Sequence, residues 1–242
     1  MSPAHHPGGE PRLDVILALR RAVEIVWRDF AALLLAGVLL LTLPAVLVRQ
    51  FPAGADWATL ATTLRGVGAT VFVAAVSWGV VARLGGRALP PRRYLREGLV
   101  RATPGVQVAL LIGAAIVVGL TLQLFAQHGT VAGWLLNSML LTAGLFAVTT
   151  LLPAVPAAVV EGLRPMAALR RAAALTAGNR DRILALALVV GLALAPSAAI
   201  VAGFAGPDGA GVWLQSVFDL VAWSLAATVP AVVYVLLAGA PR

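Results

Sequence analysis

The chain has no cysteine, no lysine, three histidines and few charges of any kind, 12 % of its 242 residues. The missing cysteine excludes disulfides, thiolate metal sites and a cysteine nucleophile. His5 and His6 stand in an N-terminal tail and His128 in a short connection, and none has a carboxylate at the spacing of a helical metal site. No Gly-x-Ser-x-Gly elbow, phosphate-binding glycine loop or His-Glu-x-x-His occurs. Hydrolase, ATPase and metalloprotease chemistry therefore have no footing. No catalytic residue, cofactor or metal ligand is assigned, and a non-enzymatic protein is expected.

What the chain has in abundance is apolar surface. Sixty per cent of the residues are hydrophobic, against roughly 45–50 % in a soluble domain. A water-soluble fold of this size has no interior large enough to hide them. Six runs approach the about 20 residues that cross a hydrocarbon layer: 30–48, 66–82, 106–126, 131–160, 183–203 and 212–238. The second, short and carrying Gly66, Gly68 and Gly79, is the least regular. The expectation is an all-α polytopic bundle of six transmembrane helices. The opening MSPAHHPGGE lacks the basic start and early apolar stretch of a cleaved signal peptide. Residues 1–12 are expected to be a disordered tail and 13–242 a single membrane domain.

The formal charge is +8, from 18 arginines against 10 acidic residues. Position explains it better than nucleic-acid binding. Sixteen arginines fall before the first run, between the second and third, between the fourth and fifth, or at the end, while Arg49 and Arg65 alone fall on the other side. Basic residues collect in cytoplasmic loops, so both termini are expected inside a bacterial inner membrane, the composition being that of a GC-rich bacterial genome.

The basic segments have helical periodicity of their own. In 13–29, Val15, Leu19, Ala22, Val23 and Val26 share one face, Asp14, Arg21, Glu24 and Arg28 the other, and Glu24 precedes Arg28 in the favourable i,i+4 order. After Pro90 and Pro91, an apolar face of Leu95, Leu99 and Ala102 opposes Arg93, Arg96, Glu97 and Arg101. In the third segment Pro165 suits a first helical position, Gly178 a stop and Asn179 a cap for the fifth run. These are three amphipathic helices suited to the membrane interface, with anionic lipid head groups as expected partners. Candidate contacts are Arg20, Arg21, Arg28, Arg92, Arg93, Arg96, Arg101, Arg164, Arg170, Arg171, Arg180 and Arg182. Topology signalling explains the same arginines without recognition.

Helix, span, outer connection and span thus occur three times, over about 13–82, 90–160 and 163–238. Leu19-Arg20-Arg21-Ala22 recurs as Leu169-Arg170-Arg171-Ala172, and Arg28-Asp29 has a counterpart in Arg180-Asp181. Duplication and shared topology signals both fit these short matches.

The stretch 153–186, PAVPAAVVEGLRPMAALRRAAALTAGNRDRILAL, resembles the signature of a family of six-span bacterial proteins. This is the membrane domain attached to some glycerophosphoryl diester phosphodiesterases, with its stand-alone YciC-like relatives. The resemblance rests on the proline-containing end of the fourth run, Glu161-Gly162-Leu163, Ala168-Leu169-Arg170-Arg171, Leu175-Thr176 and Gly178-Asn179. It implies an inner-membrane protein without phosphodiesterase activity, since catalysis in that family belongs to a separate soluble domain.

Inside the runs, ionisable and polar groups are the other candidates. Asp219, with Gln215 one turn before, is the one carboxylate in an apolar run; its distance from Ala238 places it at the outer boundary. Gln107, Gln123, Asn137 and Ser138 suit hydrogen bonding between helices. Three functions follow: a scaffold or accessory factor in envelope or lipid-linked processes, the permease subunit of an exporter with an ATPase partner at 91–103, or a membrane-embedded lipid enzyme.

Overall fold

The computed structural model describes residues 12–44, 55–124, 130–204 and 209–239. His5, His6, His128, Arg49 and Arg242 lie outside them, as does nearly all of the N-terminal tail. Among the described residues there is no strand. The helices are α1 (Val15–Arg28), α2 (Phe30–Gly37), α3 (Ala55–Leu84), α4 (Pro91–Leu124), α5 (Val131–Leu151), α6 (Ala154–Glu161), α7 (Pro165–Thr176), α8 (Arg180–Phe204) and α9 (Gly209–Ala238). Five helices are long and apolar enough to cross a membrane, α5 and α6 counting as one, and six if the bent pair α1 and α2 supplies another.

Local chemistry sets the boundaries. The Asp14 carboxylate accepts from the Leu17 amide at 3.0 Å and caps α1. After Arg28 the chain turns by 75° into α2, whose first amides, of Ala32 and Leu33, bond the Asp29 carbonyl. Beyond α2 the helix widens to a π turn over Val38–Thr42. Pro44 explains the widening: it has no N–H for the Leu40 carbonyl four residues back. That carbonyl abuts Gly68 of α3, where any side chain would collide with it. Of the glycines that made the second run look irregular, Gly68 and Gly79 let it pack, whereas Gly66 meets nothing within 4 Å. Pro165 stands in the first turn of α7, and Gly178, at φ 77°, follows its end, as expected. Pro153 breaks the fourth run, with Thr130 capping α5 before the break.

The second amphipathic segment differs from expectation, because it runs without interruption into the third span as one 34-residue helix containing Pro104. Its buried face is also different. Tyr94, Gly98, Ala102, Gly105 and Val108 are buried, whereas Leu99 is 39 % exposed. On α1 the buried line is Ala18, Ala22, Ile25 and Asp29, and Val23 points away at 53 % exposure. Small residues, more than large apolar ones, mark where these helices dock, because close backbone approach maximises contact where lipid competes for apolar side chains.

The tertiary arrangement repeats three times around a centre. α3, α6 and α9 each pack against the other two. Each entry helix then leans on the second span of another unit: α4 on α3, α7 on α6 and α1 on α9, which closes the ring. Each also touches a first span, α4 on α2, α7 on α4 and α1 on α8. The second spans all finish on a left-handed glycine, Gly86 (φ 84°), Gly162 (φ 64°) and Gly239 (φ 80°), a conformation other residues adopt at a cost. The sequence carries a third copy of the repeat to match: Ala18-Leu19-Arg20-Arg21-Ala22, Gly98-Leu99-Val100-Arg101-Ala102 and Ala168-Leu169-Arg170-Arg171-Ala172. The small residue and the alanine four later are buried in all three. Arg180-Asp181 does not play the part of Arg28-Asp29, since Asp181 is exposed and Asp29 is buried.

The core sits toward the arginine-rich end. There Phe72, Ala74, Ala154, Ala157, Ala158, Ala231 and Val232 have no exposed surface. Away from that end the cover thins, and residues 141–146, midway along the span made by α5 and α6, are exposed on every side.

Candidate functional surface

The arginine-rich end is built from the three entry helices and the span ends they lean on. The repeated arginine of the second and third copies reaches back to the span before it. The Arg101 guanidinium lies 3.7 Å from the centroid of the Trp78 ring on α3. Arg171 Nε donates to Glu161 Oε1 at the end of α6 at 3.0 Å, and the Tyr234 hydroxyl of α9 donates to the same oxygen at 2.8 Å. One carboxylate thus ties three helices together. The structure buries Trp78 under Arg101.

A second tie lies at the α1–α2 bend. Both oxygens of Asp29 are engaged by Arg83, Nε to Oδ2 at 3.0 Å and Nη2 to Oδ1. The Asp29 side chain is 3 % exposed and that of Arg83 27 %. Removing one partner of such a buried pair costs several kcal/mol. Nearby Tyr94 covers Gly79, and its hydroxyl donates to the Val76 carbonyl at 3.3 Å. A third tie closes the ring: the Leu13 amide donates to Asn179 Oδ1 at 2.8 Å, and Arg182 Nη1 donates to the Leu13 carbonyl at 2.8 Å. From sequence Asp29 was named only as the counterpart of Asp181 in the repeat, and neither Tyr94 nor this role of Asn179 was singled out. The available signal was register, since Asp29 continues the line Ala18, Ala22, Ile25, and Tyr94 the line Gly98, Ala102.

The twelve candidate arginines accordingly divide. Arg28 pairs with Glu24 at 2.8 Å and Arg93 with Glu97 at 2.6 Å, both i,i+4 pairs at the surface. Arg180 lies 5.1 Å from the Phe146 ring; Arg101, Arg171 and Arg182 are engaged as described, and Arg21 is half-buried. Arg20, Arg92, Arg96, Arg164 and Arg170 are exposed and have no carboxylate partner among the described residues. These five leave uncompensated positive charge on one end of the molecule, an arrangement that attracts anions.

The polar candidates inside the spans do not form one site. Gln215 Nε2 donates to Asp219 Oδ1 at 2.9 Å, and both residues are half-buried. Gln123 and Gln107 are exposed. Asn137 Oδ1 is buried without a partner among the described residues. Among the described residues, no hydrogen bond between these amides joins α4 and α5. Among the described residues no three His, Asp or Glu side chains gather as metal ligands. Compared with protein-family models, with curated proteins and with solved structures, the chain matches none of them.

Proposed function

We propose that the protein is a non-enzymatic scaffold or accessory factor of a bacterial inner membrane, acting in envelope or lipid-linked processes, with its arginine-rich end toward the cytoplasm and engaged with anionic phospholipid head groups. One observation carries this reading: Arg20, Arg92, Arg96, Arg164 and Arg170 are exposed and have no acidic partner among the described residues. Each basic residue near an anionic surface contributes about 1 kcal/mol of attraction. The resemblance to the YciC-like family points the same way. The packed alanines of α6 and α9 at this end favour a scaffold over a permease, which needs a polar path there.

The test is lipid selectivity. In proteoliposomes, spin-labelled phosphatidylglycerol is expected to be preferred over phosphatidylcholine at the protein surface, and changing all five arginines to glutamine to abolish the preference. An unchanged preference in that variant rejects the head-group reading.

A further inference from the structure

α1 is apolar on two opposite sides. Ala18, Ala22 and Ile25 face the bundle, and on the far side Ile16, Val23 and Trp27 are 80 %, 53 % and 81 % exposed. Between these two faces one flank, Val15, Leu19 and Val26, is apolar and half-buried, and the other, Asp14, Arg21, Glu24 and Arg28, is polar. Such a helix meets three surroundings at once: protein, water and something apolar.

We propose that α1 lies in the plane of the membrane as an anchor, with Ile16, Val23 and Trp27 seated at the acyl-chain boundary of the leaflet on the arginine-rich side. Four observations select phospholipid as the occupant. The 75° bend after Arg28 lays α1 near the membrane plane when α2 runs along the normal. The stripe continues into lipid-facing surface on the first span, where Phe30, Leu34 and Val38 are 43 %, 40 % and 43 % exposed at successive turns. A tryptophan at the end of the stripe suits the interface, where one edge of the ring meets head groups and the other hydrocarbon. Arg20 lies within the stripe; its stem bends along lipid and carries the charge to the head groups. A second copy of the chain seated symmetrically on this face would instead bring Arg20 toward its own equivalent and bury like charges.

The property belongs to α1 alone among the three entry helices. The positions matching Ile16, Val23 and Trp27 are Arg96, Thr103 and Gln107 on α4, and Met166, Ala173 and Ala177 on α7. The fold repeats three times, but the anchor does not. The inference rests on the proposed function only for the charge of the lipid it meets, and the insertion stands apart from it.

Because the natural chain has no cysteine, single labelling sites need no background removal. Ile16→Cys, Val23→Cys, Trp27→Cys, Glu24→Cys and Arg28→Cys are each spin-labelled in the full chain in nanodiscs of phosphatidylcholine and phosphatidylglycerol. Collision with oxygen is expected to exceed collision with a water-soluble nickel chelate several-fold at 16, 23 and 27, and the ratio to invert at 24 and 28. Chelate access at 23 and 27, or labels there that neither collider reaches because protein covers them, would overturn the proposal. Repeating the measurement in pure phosphatidylcholine separates the two claims. Insertion that persists there, together with lost phosphatidylglycerol preference in no arginine variant, rejects the head-group reading and leaves the anchor standing.

Discussion

Two spans at the centre of the molecule, within α3 and α9, are 61 % and 67 % buried, while two at its edge, in α4 and α8, are only 11 % buried. The edge spans are the more apolar pair, the reverse of a soluble protein, in which the most apolar segments are innermost. The central spans carry Ser77, Ser224 and Thr228, all but fully buried, beside alanines and glycines. In hydrocarbon, apolar side chains lose little by facing outward, so shape decides which helix goes inside.

Substitutions at the centre and the edge test that contrast, and the largest effect is expected where charge is buried. Arg83→Met leaves Asp29 without its partner and is expected to cost about 3–5 kcal/mol, read from chemical unfolding in mild detergent by circular dichroism. A cost below about 1 kcal/mol would mean that water reaches Asp29 freely. Gly98→Ala comes next. Its Cβ would lie 2.7 Å from the Ala75 carbonyl oxygen, a backbone atom that cannot step aside. Overpacking of this kind costs about 1–3 kcal/mol, and the same unfolding midpoint measures it. Tyr234→Phe removes one hydroxyl from Glu161 and leaves Arg171 in place, for a loss of about 1 kcal/mol. A double-mutant cycle with Arg171→Gln should show coupling between the two. The smallest effect belongs to the edge: a Cβ at Gly113 would meet nothing within 4 Å, so Gly113→Ala should be neutral or stabilise by about 0.5 kcal/mol through helix propensity. A large loss there would reveal a partner packed on α4.

The same contrast explains what could be read in advance. Five of the six apolar runs, the stop at Gly178, the start at Pro165 and the Glu24 to Arg28 pair follow from local rules and stand in the structure, and the first run joins them if the bent pair α1 and α2 is one span. The buried faces did not follow, because hydropathy ranks Val23 and Leu99 above Ala18 and Gly98, although the small residues are the ones that dock. Size at i,i+4 spacing was the better guide. The third copy of the repeat was hidden for a related reason, with Gly98 standing for alanine and Val100 for arginine. Of the candidate surface, the sequence indicated which arginines share an end; which of them are already engaged depended on Glu161, Trp78 and Leu13, supplied by other units.

The seat of α1 on α9 imposes an order on biogenesis. Of the described helices α1 leaves the ribosome first, and the surface it covers belongs to α9, the last of them. Throughout elongation its alanine face waits uncovered, while α4 and α7 find their seats on spans already inserted. Among the described helices the ring therefore closes last, and a chain cut short before α9 leaves α1 only its contacts with α2 and α8.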